Sequence, residues 1–143
     1  MRSHSMMLYM FIGMFLFQYI IMGFIMTDRL DNITTSTGKI YMSIIMGLFM
    51  VLLDMLLGPM FNIQHFTIIL GFTLIFIYLY KTQFGIDEKN YIREMIEHHS
   101  MALLTSKNIL EKTKNPAVIN FATGILVGQE KEIADMRYLL KSI

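Results

Sequence analysis

Met6-Met7-Leu8-Tyr9-Met10-Phe11-Ile12-Gly13 opens a run that closes with Met22-Gly23-Phe24-Ile25-Met26, and no charged residue interrupts it. At 21 residues the run matches the ~20 that an α-helix needs to cross the hydrocarbon core of a bilayer. A secretory leader is the competing reading, but the run is too long and no small-residue cleavage site follows it. Thr27-Asp28-Arg29 ends the run, and the Thr-, Ser- and Asn-rich stretch from Asp28 to Lys39 reads as a loop. Ile40 to Leu57 is a second apolar stretch, ended by Gly58-Pro59. Gln64 to Tyr80 is a third, ended by Lys81 and bordered by Tyr78 and Tyr80, as interface aromatics should be. The expected spans are residues 6–26, 40–57 and 64–80, within a membrane region of residues 1–86.

The remaining composition narrows the function. A net charge of +1 over 143 residues, with no basic cluster, gives no reason to expect nucleic acid as a partner. Cysteine is absent, which removes disulfides, thiolate zinc sites and thiol catalysis. Methionine is abundant at 15 residues. It serves either as a flexible apolar filler or as a set of soft thioether ligands suited to Cu(I).

From Asp87 the chain carries regular charge and reads as two amphipathic helices in a domain of residues 87–143. The first runs from Glu88 to Lys112 with Asp87 as N-cap. Ile92, His99 and Ser106 fall seven apart, as do Met95, Ala102 and Ile109, which makes a seam carrying His99. The second helix begins at Asn115-Pro116, a cap followed by proline at the first helical position. It places Val118, Ile125, Glu132 and Leu139 in one row and Ala122, Gln129 and Met136 in another. The short link predicts an antiparallel hairpin. A turn centred near Lys114 sets His99 opposite Gln129, Met95 opposite Ile133 with Glu132 beside it, and Ile92 opposite Met136. Buried polar groups are costly unless they satisfy one another or bind an ion. The meeting of His99, Gln129 and Glu132 at one level therefore marks a candidate site.

Tyr91-Ile-Arg-Glu-Met95-Ile-Glu-His98-His99-Ser-Met-Ala102, followed by Gln129-Glu-Lys-Glu132-Ile133-Ala-Asp-Met136, resembles the ferritin-like domain-of-unknown-function family 305 (DUF305). The resemblance covers residues 87 to 141 and rests on a Met-Ile-Pro-His-His opening and a Gln-x-x-Glu-Ile-x-x-Met element. It implies a helical, usually extracytoplasmic domain, with some members linked to copper binding or resistance. It also implies Met95, His98, His99 and Met136 as ligand candidates, with Gln129 and Glu132 as seam partners. Glu97 stands where the family has proline. Thr105 stands where a further methionine is usual, and Met101 is the substitute, on another face of the helix.

Adjacent helical residues point about 100° apart, so His98 and His99 do not readily chelate one ion, whereas His99 and Met95, four apart, can. His98 pairs with Met101 or serves another chain. Neutral imidazole with thioether suits Cu(I) or Ag(I) rather than Ca²⁺ or Mg²⁺. The bland alternative is a structural histidine bonded to Gln129 or Glu132. Catalysis is not expected: the Glu-x-x-His pairs of di-iron proteins, the His-Glu-x-x-His zinc motif and any phosphate loop are missing. In the second span Met42, Met46, Met50 and Asp54 recur every fourth residue, a row that either packs or passes a soft ion along the helix, with His65 nearby. A charge inside a span marks function by default, but Asp54 lies only four residues from Gly58, close enough for its side chain to reach the interface instead. Gly13, Gly23, Gly47 and Gly71 are expected to let the spans approach closely.

The fold expected is all-α: three transmembrane helices, then a ferritin-like antiparallel hairpin that closes into a four-helix bundle on dimerisation, because two helices make little core alone. The expected protein is a multi-pass, methionine-rich homo-oligomer that binds Cu(I) or a similar soft ion for metal handling or tolerance. The bilayer, a second copy and a metal-handling partner of unknown identity are its expected partners. The competing class is a membrane-anchored interaction module with structural histidines. On orientation, Arg29, Lys39, Lys81, Lys89 and Arg93 against Arg2 favour a cytoplasmic C-terminal domain. The resemblance favours an extracytoplasmic one, and that is the orientation expected here.

Overall fold

The computed structural model describes residues 4–58 and 61–143, which are helical with no strand among them. Pro59, expected to help end the second span, and Arg2, part of the charge balance, lie outside these residues. The helices are α1 (His4–Leu16), α2 (Met22–Met26), α3 (Thr37–Leu57), α4 (Ile63–Lys81), α5 (Glu88–Leu110) and α6 (Pro116–Ser142). A π-helical turn, Phe17–Ile21, joins α1 to α2, and a 3-10 turn covers Leu30–Asn32. Three helical stretches are long and apolar enough to cross a membrane: Ser5–Met26, Thr37–Leu57 and Ile63–Lys81. The second begins three residues before the expected Ile40. Its first turn takes in Lys39, whose ammonium sits 5.5 Å from the centre of the Tyr19 ring.

The chain divides into two compact units. In the first, Met1–Met22 with Thr37–Ile86, α3 packs between α1 and α4. Ser43, Gly47, Val51, Asp54 and Met55 form the buried side of α3. Phe11 of α1 lies over Gly47, and a Cβ there would stand 2.7 Å from the Phe11 ring and 3.1 Å from its carbonyl oxygen. Phe11, Phe15 and Tyr19 stack in sequence, with ring centroids 6.3 Å and then 5.8 Å apart. Gly47 thus acts as the expected close-approach glycine. Gly13 and Gly71 do not, because a Cβ at either position meets nothing within 4 Å. Asn62 caps α4 by accepting from the backbone N–H groups of Gln64 and His65. At the other end of α4 the chain turns through Gln83 and Gly85, both with positive φ. The Tyr41 hydroxyl donates to the Phe84 carbonyl across that turn.

The second unit is Gly23–Ser36 with Asp87–Ile143. The segment after the first apolar helix therefore groups with the C-terminal helices. Asp87 caps α5 by accepting from the Asn90 N–H, and Asn115 caps α6 by accepting from the Ala117 N–H, with Pro116 at the first position. Both caps fall where the sequence places them. Ile92, Ile96 and Leu103 of α5 and Ile133 of α6 form the core, with Leu126, Met136 and Leu140 packed against it.

The expected seam is rotated. The buried positions of α5 are Ile92, Ile96, Ser100, Leu103 and Ser106, so Ile96 and Leu103 replace Met95 and Ala102, and Ile109 is exposed. On α6 the row of Ala122 and Met136 is kept, but Leu126, Ile133 and Leu140 replace the row of Ile125, Glu132 and Leu139. The larger aliphatic side chains win the core, and a third layer on the Ser100 side widens the buried stripe in that direction.

Candidate functional site

Rotation of the seam turns Met95 and His99 onto a flank of α5 at the edge of the core, where both are half-buried. Four residues apart on one unbroken helix, they share a face. The His99 Nδ1 lies 3.0 Å from the Glu132 Oε2. Expected opposite Gln129, His99 instead meets a residue one turn further along α6, and Gln129 stays half-buried. The His99 side chain is 22% exposed and that of Glu132 is 54% exposed. Nδ1 itself is closed off from solvent and makes no aligned hydrogen bond, with the Glu132 carboxylate beside it. A carboxylate beside Nδ1 favours the tautomer that carries its proton there and leaves the Nε2 lone pair available.

The remaining candidates scatter around this pair. His98 is exposed, and its ring centroid stands 6.3 Å from that of His99 in an edge-on arrangement. Met101 is half-buried about 200° further round the helix from His99, on the opposite flank. Met136 packs against the core of Ile92, Ile96, Leu103 and Ile133. Among the described residues no group of three or more His, Asp or Glu side chains could hold a metal ion. Any ion held on this flank would draw on thioethers as well as imidazole. The donor set at His99 and Met95 fits a soft monovalent ion on that chemistry.

Sequence reasoning missed the opposite side of the helix pair entirely. There the segment Thr27–Ser36 lies across α5 and α6 as a strap. Ser100, fully buried, accepts from the Asp28 N–H at 2.9 Å and the Asn32 amide at 3.0 Å. The Asn32 Oδ1 in turn accepts from Arg137 of α6 at 2.7 Å, and Arg137 also pairs with Asp31 at 2.8 Å. Lys107 pairs with Asp28 at 2.8 Å. The Thr34 hydroxyl donates to the Arg93 carbonyl and its N–H to Glu97. The signal was present in the sequence: Ser100 and Ser106 are small polar residues on the inward stripe of α5, and buried hydroxyls demand partners.

Within the spans, Met42, Met46 and Met50 are half-buried along α3, whereas Asp54 is buried at 9% exposure. Steps of four residues drift about 40° each, so by Asp54 the row has turned from the flank into the stripe of Ser43, Gly47 and Val51. The row thus winds from the flank at Met42 to the buried stripe at Asp54, with Met50 one step short of it.

A family model, Domain of unknown function (DUF305), matches residues 82–142. "Uncharacterized protein L153" of Acanthamoeba polyphaga mimivirus is 33% identical over 141 residues, covering 96% of this chain and 93% of its own length. No solved structure matches the chain.

Proposed function

The chain belongs to the DUF305 family, and on that premise we propose that it is a membrane-anchored protein that binds a soft metal ion, Cu(I) or Ag(I), for metal handling or tolerance. The observation that carries this reading is the His99–Glu132 contact, 3.0 Å long, on the same face as Met95. It sets an imidazole with a carboxylate at Nδ1 four residues from a thioether on one helix face, and imidazole with thioether is a donor pair that soft ions prefer to hard ones. His99 and Met95 are the ligands proposed first. His98 and Met101 are peripheral donors, and Gln129, Glu132 and Met136 shape the surroundings. Binding, not catalysis, is the activity proposed.

In this reading α5 and α6 form a ferritin-like antiparallel hairpin, and two copies complete a four-helix bundle. The strap occupies one side of the hairpin, so a second copy would cover the other. That brings His99 and Met95 from both copies to a shared axis and doubles the donor count. The three apolar helices anchor the assembly in the bilayer, with the C-terminal domain on the extracytoplasmic side.

Thermal unfolding of the detergent-purified chain tests the reading. An ion that binds only the folded state raises the melting temperature by mass action, by about 2.7 kcal/mol of stability at a hundredfold excess over Kd. Cu(I) or Ag(I) should raise the melting temperature of the natural chain and leave a His99→Ala/Met95→Ala variant unmoved. Equal melting with and without metal would refute it.

A second reading, an interaction module with structural histidines, draws on the exposed apolar residues of α6. Phe121 is 72% exposed and Val127 62%. An unchanged melting temperature together with concentration-dependent association would favour it.

A further inference from the structure

Thr27–Ser36 follows Met26, the last residue of the first apolar helix, and precedes Thr37, the first residue of the second. If those helices cross a bilayer, both ends of this ten-residue strap enter the same membrane surface. An extended chain covers at most ~3.6 Å per residue, so no residue of the strap is more than about 18 Å of chain from a span end. The C-terminal unit itself contains the last turn of the first span, with Phe24 and Ile25 exposed on it. The strap is fastened to α5 at Ser100 and Lys107 and to α6 at Arg137. Whatever lies on the strap side of the helix pair is therefore held near the headgroup layer.

An open cleft occupies that side. Arg29, Lys107, Arg137 and Lys141 line it with Asp28, Glu130 and Tyr138. Asp31 pairs with Arg137 and Arg29 at its rim, so four cations stand against three carboxylates. Tyr138 is 76% exposed. Tyrosine with long cationic side chains is the composition of a membrane–water interface, where the phenol sits among headgroups and the cations reach lipid phosphates. Around α5, Met95 and His99 point about 100–160° away from Ser100 and Glu97, the residues that hold the strap.

We infer that the strap side of the α5–α6 pair is a lipid-headgroup site. The cleft bounded by Arg29, Lys107, Arg137, Tyr138 and Lys141 seats on the phosphate of a membrane lipid, and the pair lies against the bilayer with Met95 and His99 turned away from it. The inference rests on the membrane-anchored half of the proposed function and is independent of the metal.

The chain has no cysteine, so single-cysteine variants report without background. Tyr138→Cys and Phe121→Cys, each carrying an environment-sensitive fluorophore, are placed as the full chain in phosphatidylcholine nanodiscs containing a headgroup-labelled quencher lipid. The expected result is severalfold stronger quenching at 138 than at 121, with the difference reduced when Arg29 and Lys141 are both changed to Glu. Both substituted side chains are exposed, and metal titration of each labelled protein shows separately whether the metal reading holds. Equal quenching at the two positions, or stronger quenching at 121, overturns the inference. So does a response of the 138 label to inorganic phosphate in detergent that matches its response to lipid, which would mark a site for a soluble anion.

Discussion

Asn32 links the two C-terminal helices through one side chain: its amide donates to Ser100 of α5 at 3.0 Å while its carbonyl oxygen accepts from Arg137 of α6 at 2.7 Å. Asn32 is 2% exposed and Ser100 is fully buried, so these bonds have no water to replace them. Ser100 adjoins His99 in sequence, and the strap thereby fixes the turn of α5 that carries the candidate donor.

Removing the Ser100 hydroxyl leaves the Asp28 N–H and the Asn32 amide without an acceptor. Stranding buried donors costs about 1–3 kcal/mol, so Ser100→Ala should lower stability by that order. Thr105→Ala, on an exposed site whose hydroxyl bonds only to its own helix, should do almost nothing. Denaturation of both variants in the same detergent makes the comparison.

Close packing of α1 on α3 depends on the missing side chain at Gly47. Gly47→Ala should destabilise the membrane unit by about 1–3 kcal/mol through overpacking, because the methyl meets both the Phe11 ring and its carbonyl. Gly13→Ala faces open space and should be neutral or slightly stabilising. Unfolding of both variants in detergent separates the two outcomes.

Acid should loosen the strap within a defined window. The Arg137 side chain, hydrogen-bonded to the Asp31 carboxylate, holds it below its ordinary value of 3.8, and the charges of Arg137 and Arg29 add to the effect. A depressed carboxylate contributes stability that is present above its unfolded value and is lost as pH falls through the lower folded one. Strap closure, followed by a fluorophore at Thr35→Cys, should be unchanged from pH 7 to 5 and should weaken below 3.8. Asp31→Asn should reduce that acid dependence, leaving the part that comes from the strap's other carboxylate contacts, Asp28 with Lys107 and Thr34 with Glu97.

If all three apolar helices cross the membrane, the strap and the C-terminal domain lie on one side of it and the turn before α4 on the other. A membrane-impermeant thiol reagent should therefore label Thr35→Cys and Ser142→Cys from the same side and Gln64→Cys from the opposite side. Labelling of all three from one side would mean that neither α3 nor α4 crosses.

Much of the fold was legible because its signals are local. Apolar length gave the three spans to within three residues, and Asp87 and Asn115-Pro116 gave the starts of α5 and α6. The seam was not legible from heptad spacing alone, because spacing treats Met95 and Ile96 as equal claimants and cannot foresee a third layer. The strap couples residues 59 to 106 positions apart, a pairing that no local pattern encodes. For the site, a meeting of His99 with Gln129 or Glu132 on α6 was anticipated, and the contact that forms is the one with Glu132. The rotation that exposes Glu132 is the same one that buries Ile133.

The most direct measurement is a Cu(I) titration of the full chain in detergent against a competing chelator, run beside His99→Ala/Met95→Ala and Glu132→Gln. The natural chain should bind tightly, and the double variant should lose that binding. Affinity should be about 10–100-fold lower in Glu132→Gln, the usual effect of losing a group that orients a ligand. Weak binding that is the same in all three proteins would contradict the proposed metal site, and would leave His99 and Glu132 as a structural contact.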